Sequence, residues 1–458
     1  VSDASLSATA DYLISNLQRS RSVGAKASVD ATTISTLAGL TNGTAAVEEN
    51  RVEATAIGNS FVGALSNLRP ESNTSQALAS QQFAADSPVS ASVENTTIRV
   101  GNGSDAEFSG STLSVSGNRV TATGTVNSAS LSATGVAPVG VGAGATNGAS
   151  TEITADGSGS LTTKVGGSVV VANSQMLSDG AHVASVTGTA VQVADTGDPG
   201  LTNGTAQVNL NTVSATITGN LATASAELGA GGASSYGGGV VVANAQNAEA
   251  AIFTATNSGT MLGITAVNAV DGSTLTVGGN SVGASATANR ATHTLTGSGV
   301  VTAGGPGGLA PAVSINGSEP LNVSGAGYLS ANVQRTNASS VLATTTDALV
   351  GVQAGVTNGP VSVLNNRVYA EATANRFSGV MSYAQSNGAL LQLASYQLNN
   401  STPVTATVTG ARIGFGGFDP ITFGGAASSS ITGGAAIVSG NMVSASATGN
   451  ALRATIGR

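Results

Sequence analysis

Apolar and polar side chains alternate one by one through much of this chain. In the segment Asn50–Asn59 (NRVEATAIGN), Val52, Ala54 and Ala56 fall on one face, and Glu53, Thr55 and Ile57 on the other. A strand sends successive side chains to opposite faces, so this two-residue period predicts strands with a small apolar inner face and a hydroxyl-rich outer one. In the last such segment the two faces are Val443, Ala445, Ala447 and Ser444, Ser446, Thr448. Ala recurs with Ser and Thr at strand spacing, not at helical spacing, and Thr and Val suit a pleated surface.

The segment occurs six times, always with Val third and Ala fifth. Its ends are Asn50 and Asn59, Asn118 and Asn127, Asn211 and Asn220, Asn280 and Asn289, Asn366 and Asn375, and Asn441 and Asn450. A second element precedes each copy and ends in Gln18, Gln82, Gln175, Gln246, Gln334 and Gln397. A third, Thr-Asn-Gly, starts at Thr41, Thr202 and Thr357, just before the odd-numbered copies, while a further one at Thr146 lies outside that register. The first Asn residues are 68, 93, 69, 86 and 75 residues apart. Long and short steps alternate, which divides the chain into three super-repeats, 1-157, 158-315 and 316-458, each of two parts.

Such a repeat predicts an all-β fold, an elongated β-solenoid in which coil stacks on coil. Asn at the corners would tolerate left-handed geometry and hydrogen-bond along the stack, as Asn ladders do in cross-β assemblies. Simple solenoids have periods of about 20–30 residues, so each step here is expected to hold several dissimilar coils. The alternative is a string of β-sandwich modules. Composition favours the solenoid: the chain has no Trp, 8 Phe, 4 Met and 62 Gly, too few large side chains for a sandwich core.

Only 8% of residues are charged, yet 41% hydrophobic content and a mean hydropathy of +0.20 exclude the composition of a disordered chain. Net charge is −8, and Lys164 is the only cation between Arg119 and Arg290, so the electrostatic footprint of a nucleic-acid binder is missing. There is no Cys, and no apolar run is long enough for a transmembrane helix. Position 1 is Val, which reads as a mature chain freed of its signal peptide. Neither end carries a polar capping segment, so both ends are expected to meet another molecule.

Little points to catalysis. His182 and His293 fall in different super-repeats with no acidic or hydroxyl motif beside them, and they read as structural. Glu48–Glu49 reads as a solvated edge, Asp195–Asp198 as a turn in preference to a calcium loop, and GAGGASSYGGG (229–239) as a loop without the phosphate-binding pattern. No catalytic, cofactor-binding or metal site is expected. Outward Thr rows suit ice binding, but Arg51, Glu53, Arg119, Tyr369 and Glu371 interrupt them. Polysaccharide is the better surface ligand, with Tyr236, Tyr328, Tyr369, Tyr383 and Tyr396 as the available aromatics.

The six N-x-V-x-A-x-A-x-x-N-like segments, the Gln elements and the Ala/Ser/Thr/Gly/Asn bias resemble the large secreted component of the holdfast anchor system of stalked bacteria, the HfaD type. That resemblance implies a secreted, outer-membrane-associated cell-surface protein that helps anchor an adhesive, extracellular polysaccharide to the envelope, with other surface anchor proteins as partners and no catalytic residues. The expectation is therefore a non-enzymatic adhesion protein. The alternative is a self-assembling fibre subunit that polymerises head to tail with itself through unpaired strand edges.

Overall fold

The computed structural model describes residues 5–457 apart from 38, 68–74, 102–106, 136–148, 156–160, 168, 196–199, 229–238, 303–311, 317–320, 325–326, 388–390 and 417–428. Among the described residues there are strands and no helix. The chain is a β-solenoid of six coils, spanning 12–67, 76–135, 169–228, 240–302, 328–387 and 391–457. Strands of one coil pair in parallel, and in register, with those of the next. In-register stacking follows from the repeat: Val52, Val120, Val213, Val282, Val368 and Val443 form one column, so like sits on like.

Each step of the repeat is a single wide coil, not several coils. An opening strand (Tyr12–Arg21 in coil 1) is followed by four short strands, or by three and an isolated bridge at Thr202 in coil 3, and a long closing one (Arg51–Asn67). The broad circuit is possible because corners are made by single residues at positive φ. One such corner holds Asn42, Gly110, Asn203, Gly272, Asn358 and Gly433 in coils 1 to 6. The Thr-Asn-Gly elements of the odd coils are this corner, with Asn in the left-handed conformation and Gly in the even coils. The corner before each Asn segment is a second correction. The left-handed residue is the one preceding the Asn (Glu49, Gly117, Leu210, Gly279, Asn365, Gly440), which leaves the Asn itself in extended backbone.

The long closing strands form one sheet that bends in the middle. Its pairing skips Gly58, Val126, Gly219, Ala288, Ala374 and Gly449, giving each strand two limbs. The first limb closes the main core, which runs continuously from Val47, Val52 and Ala54 to Val363, Val368 and Ala372. The second limb packs on the sheet of opening strands. Leu131, Ala133, Ala224, Ala226, Leu295 and Met381 meet Leu78, Val171, Val242 and Tyr328 there.

The other face of the opening sheet is covered as well. Ser5–Thr9, Ala149–Ala155, Leu161–Gly167, Ala312–Asn316 and Leu321–Ser324 form an antiparallel side sheet. Its Ile153, Val165, Val313, Ile315 and Val323 pack on Ala77, Val170, Ala172, Val241 and Leu329. Two of its hairpins lie in the links between coils 2 and 3 and between coils 4 and 5. The long steps of 93 and 86 residues have this cause. The super-repeat boundary at 157/158 lies outside the described residues, and that at 315/316 falls within the strand Ala312–Asn316.

Candidate functional site

The twelve Asn residues of the repeat stand in two ladders that run the length of the stack. In the first, the side-chain amide of Asn50 donates to Oδ1 of Asn118 at 2.9 Å, and its backbone N–H donates to the same oxygen at 3.0 Å. Asn118, Asn211, Asn280 and Asn366 repeat both bonds, each to the next member, and the series ends on Asn441. From Asn118 onward the second amide hydrogen reaches back to a carbonyl of the preceding coil, for example that of Val47 from Asn118. Every polar atom of a buried rung thus has a partner, which makes an otherwise costly burial tolerable.

The second ladder lies at the bend of the long strands. Asn59 donates to Asn127, Asn127 to Asn220, Asn220 to Asn289, Asn289 to Asn375 and Asn375 to Asn450, at 2.8–2.9 Å. Each of these amides also ties the bend to the opening strand of the following coil, as Asn127 does at the carbonyl of Met176.

Beside it runs a Gln ladder of opposite direction. Gln82 donates to Gln18, Gln175 to Gln82, Gln246 to Gln175, Gln334 to Gln246 and Gln397 to Gln334, at 2.7–2.8 Å. Each Gln also bonds the carbonyl just after the second Asn of its own coil, as Gln246 does at Arg290. The Asn within the Gln element adds a shorter column, Asn173 to Asn244 to Asn332.

Among the described residues, coils 1 and 6 each leave one face of the stack uncovered. Coil 6 leaves Val443 53%, Ile456 53% and Leu452 57% exposed, although their counterparts in inner coils are buried. Coil 1 leaves Tyr12 52% and Leu17 46% exposed. Because the ladders are directional, the two faces differ. Among the described residues, coil 1 offers the Oδ1 atoms of Asn50 and Asn59 without a donor from a neighbouring coil, and coil 6 offers the Asn441 and Asn450 amides without an acceptor on one. For glutamine the sense is reversed: Oε1 of Gln397 lacks a ladder donor, and Gln18 lacks a ladder acceptor.

The remaining sequence candidates are scattered. His182 is fully buried, stacks on Phe253 at 5.3 Å and accepts the Val89 N–H at 3.3 Å; burial lowers its pKa to about 4. His293 lies in a different layer, edge-on to Phe377 at 5.0 Å, with Nδ1 2.9 Å from the Ser330 hydroxyl; burial lowers its pKa to about 3. Both are neutral imidazoles packed as aromatics. The hydroxyl beside His293 comes from a residue 37 positions away, brought there by the fold. Glu48 accepts the Ser114 hydroxyl at 2.6 Å, and Asp195 caps the backbone of Leu201 at 2.6 Å. Among the described residues no three acidic or imidazole side chains gather as a metal site.

Tyr328 is buried and Tyr396 is half-buried. Tyr369 lies under the Arg367 guanidinium, 4.1 Å from ring centre to Cζ, and Arg367 also pairs with Glu371. Burial and the Glu371 charge raise the Tyr369 pKa. The side chain of Tyr383, together with Tyr236, Asp198, Thr146 and the segment 229–238, lies outside the described residues. No helix is long and apolar enough to cross a membrane among the described residues. No family model, curated protein or solved structure matches this chain.

Proposed function

We propose that this chain is a non-enzymatic structural protein of the cell surface, secreted and outer-membrane associated, that joins end to end into a fibre. In that role it helps other surface anchor proteins fasten an adhesive polysaccharide to the envelope. The observation that carries the end-to-end reading is the polarity of the ladders. A second copy set with its coil 1 on coil 6 continues all three at once: Asn441 donates to its Asn50, Asn450 donates to its Asn59, and its Gln18 donates to Gln397. Two like faces would oppose donor to donor and acceptor to acceptor. The junction is thus heterologous, and a heterologous contact that does not close gives filaments instead of dimers. Corner parity agrees, because a glycine-cornered coil 6 would meet an Asn-cornered coil 1, as coil 4 meets coil 5.

Negative-stain microscopy of the full chain across a concentration range tests this. Filaments of uniform width that lengthen with concentration are expected, and Val443→Asp, which puts a carboxylate on the open face, is expected to leave single rods. Wild-type rods of fixed length at every concentration would overturn end-to-end assembly.

A further inference from the structure

Besides the ladders, one concavity, reaching from coil 4 to coil 6, combines volume with unpaired charge. It lies where the long strands bend, and outward side chains of both limbs line it. Its volume is about 490 Å³. Thr373, Thr448 and Ser446 approach from the first limb, and Arg290, Arg376 and Arg453 from the second. Arg290 and Arg376 are direct neighbours in the parallel ladder, so two like charges sit one strand spacing apart. Like charges placed opposite each other in a sheet are unfavourable. None of the three arginines has an ion-pair partner among the described residues. The carboxylate nearest in the lining, Glu371, is engaged by Arg367. This is an accumulation of cations in a chain of net charge −8.

We propose that this groove binds an acidic polysaccharide, with sugar carboxylates on Arg290, Arg376 and Arg453 and sugar hydroxyls on the Thr and Ser rows. An anion bridging Arg290 and Arg376 relieves the repulsion that the bare sheet carries, and guanidinium suits a carboxylate because it offers two parallel donors. Hydroxyls match along the bend over the same coils. Thr287, Thr373 and Thr448 form one half-exposed column in register, while Thr125 and Thr218, further along it, are buried. A linear polymer laid along the bend therefore meets a repeating hydroxyl surface and a cationic stretch over coils 4 to 6. A nucleic acid is the poorer occupant, since the groove offers three cations and no exposed stacking aromatic. The proposal deepens the polysaccharide half of the function above and does not depend on end-to-end assembly.

Titration of the full chain with oligogalacturonate, a neutral dextran of equal length and single-stranded oligodeoxythymidylate, at low and high salt, tests it. Binding of the uronate polymer, at least tenfold weaker for dextran and for the oligonucleotide, is expected. Arg290→Gln/Arg376→Gln is expected to lower uronate affinity at least tenfold with an unchanged circular dichroism spectrum, since both side chains are exposed. Val443→Asp is expected to bind as wild type, which separates this site from the polymerising face. Equal binding of dextran, equal or tighter binding of the oligonucleotide, or undiminished binding by the double variant would each overturn the proposal.

Discussion

The side-chain oxygen of Asn358 in coil 5 lies 2.6 Å from the point where a Cβ on Gly433 in coil 6 would stand. Both residues have positive φ, 55° and 67°. The Asn side chain leans forward along the stack and occupies the space that the glycine leaves. Asn42 and Gly110, and Asn203 and Gly272, stand in the same relation. Corner residues therefore come in forward-facing pairs, and a two-coil period is written into the sequence although every coil has the same shape.

Gly272→Ala consequently meets two penalties, a left-handed backbone worth about 1–2 kcal/mol and the Asn203 oxygen. The expected loss in a denaturant titration is about 2 kcal/mol or somewhat more. Asn203→Gly alone is expected to be nearly neutral, and combining the two should return part of the loss, because only the contact is relieved. Strict additivity in this cycle would refute the pairing.

The strands, their inward faces and the repeat spacing are legible because period-two alternation and a fixed Asn-x-Val-x-Ala frame are local signals. Val52, Ala54 and Ala56 are buried as their alternation predicts. The coil boundary was not legible: a step of about 70 residues resembles several small coils until one sees that Gln18 and Asn59, far apart in sequence, close the same circuit. The side sheet was missed for a different reason. Ile153 and Val165 alternate with polar neighbours much as coil strands do, and only the extra length of two steps betrays them. The Asn and Gln residues were visible as motifs, but not the opposite direction of their ladders, which depends on side-chain orientation. The arginine groove was hidden because Arg290 and Arg376 become neighbours only through register.

The ladders predict a gradient of cost along one column. Asn220→Ala removes the acceptor of Asn127, the donor to Asn289 and the donor to the Asn247 carbonyl, all buried. Unsatisfied buried groups cost about 1–3 kcal/mol each, so a loss of roughly 3 kcal/mol or more is expected. Asn450→Ala at the outer end strands the Asn375 amide, which keeps its bond to the Leu398 carbonyl, and otherwise loses only an exposed bond to the Gln397 carbonyl. Its cost should stay within about 1 kcal/mol. Equal losses at both positions in denaturant titrations would contradict ladder continuity.

Acid should weaken the coils through the two histidines. Unfolded, each takes up a proton below its ordinary value of 6.5; folded, His182 does so only near 4 and His293 near 3. The unfolded chain therefore binds more protons between these limits, and stability falls as pH drops from 6.5 toward 4. Stability is fully present above 6.5. For His182 the loss is on the order of 3 kcal/mol. Unfolding midpoints between pH 7 and pH 4 should drop less for His182→Phe/His293→Phe than for wild type; parallel curves would exclude the histidines as the cause.

The side sheet predicts an effect that is large but local. Ile153 is completely buried between its own sheet and the opening strands, so Ile153→Ala should remove about 2–4 kcal/mol of packing. The coils have their own continuous core and ladders, and no residue of the side sheet belongs to either. Loss at Ile153 should therefore release the strands Ala149–Ala155 and Leu161–Gly167 before the stack opens, as sub-global opening does elsewhere in proteins. Hydrogen exchange resolved by peptide gives the measure. Faster exchange confined to those hairpin strands, with Thr212–Leu228 protected as in wild type, is the expected result. Equal acceleration in both regions would show that sheet and coils unfold as one unit.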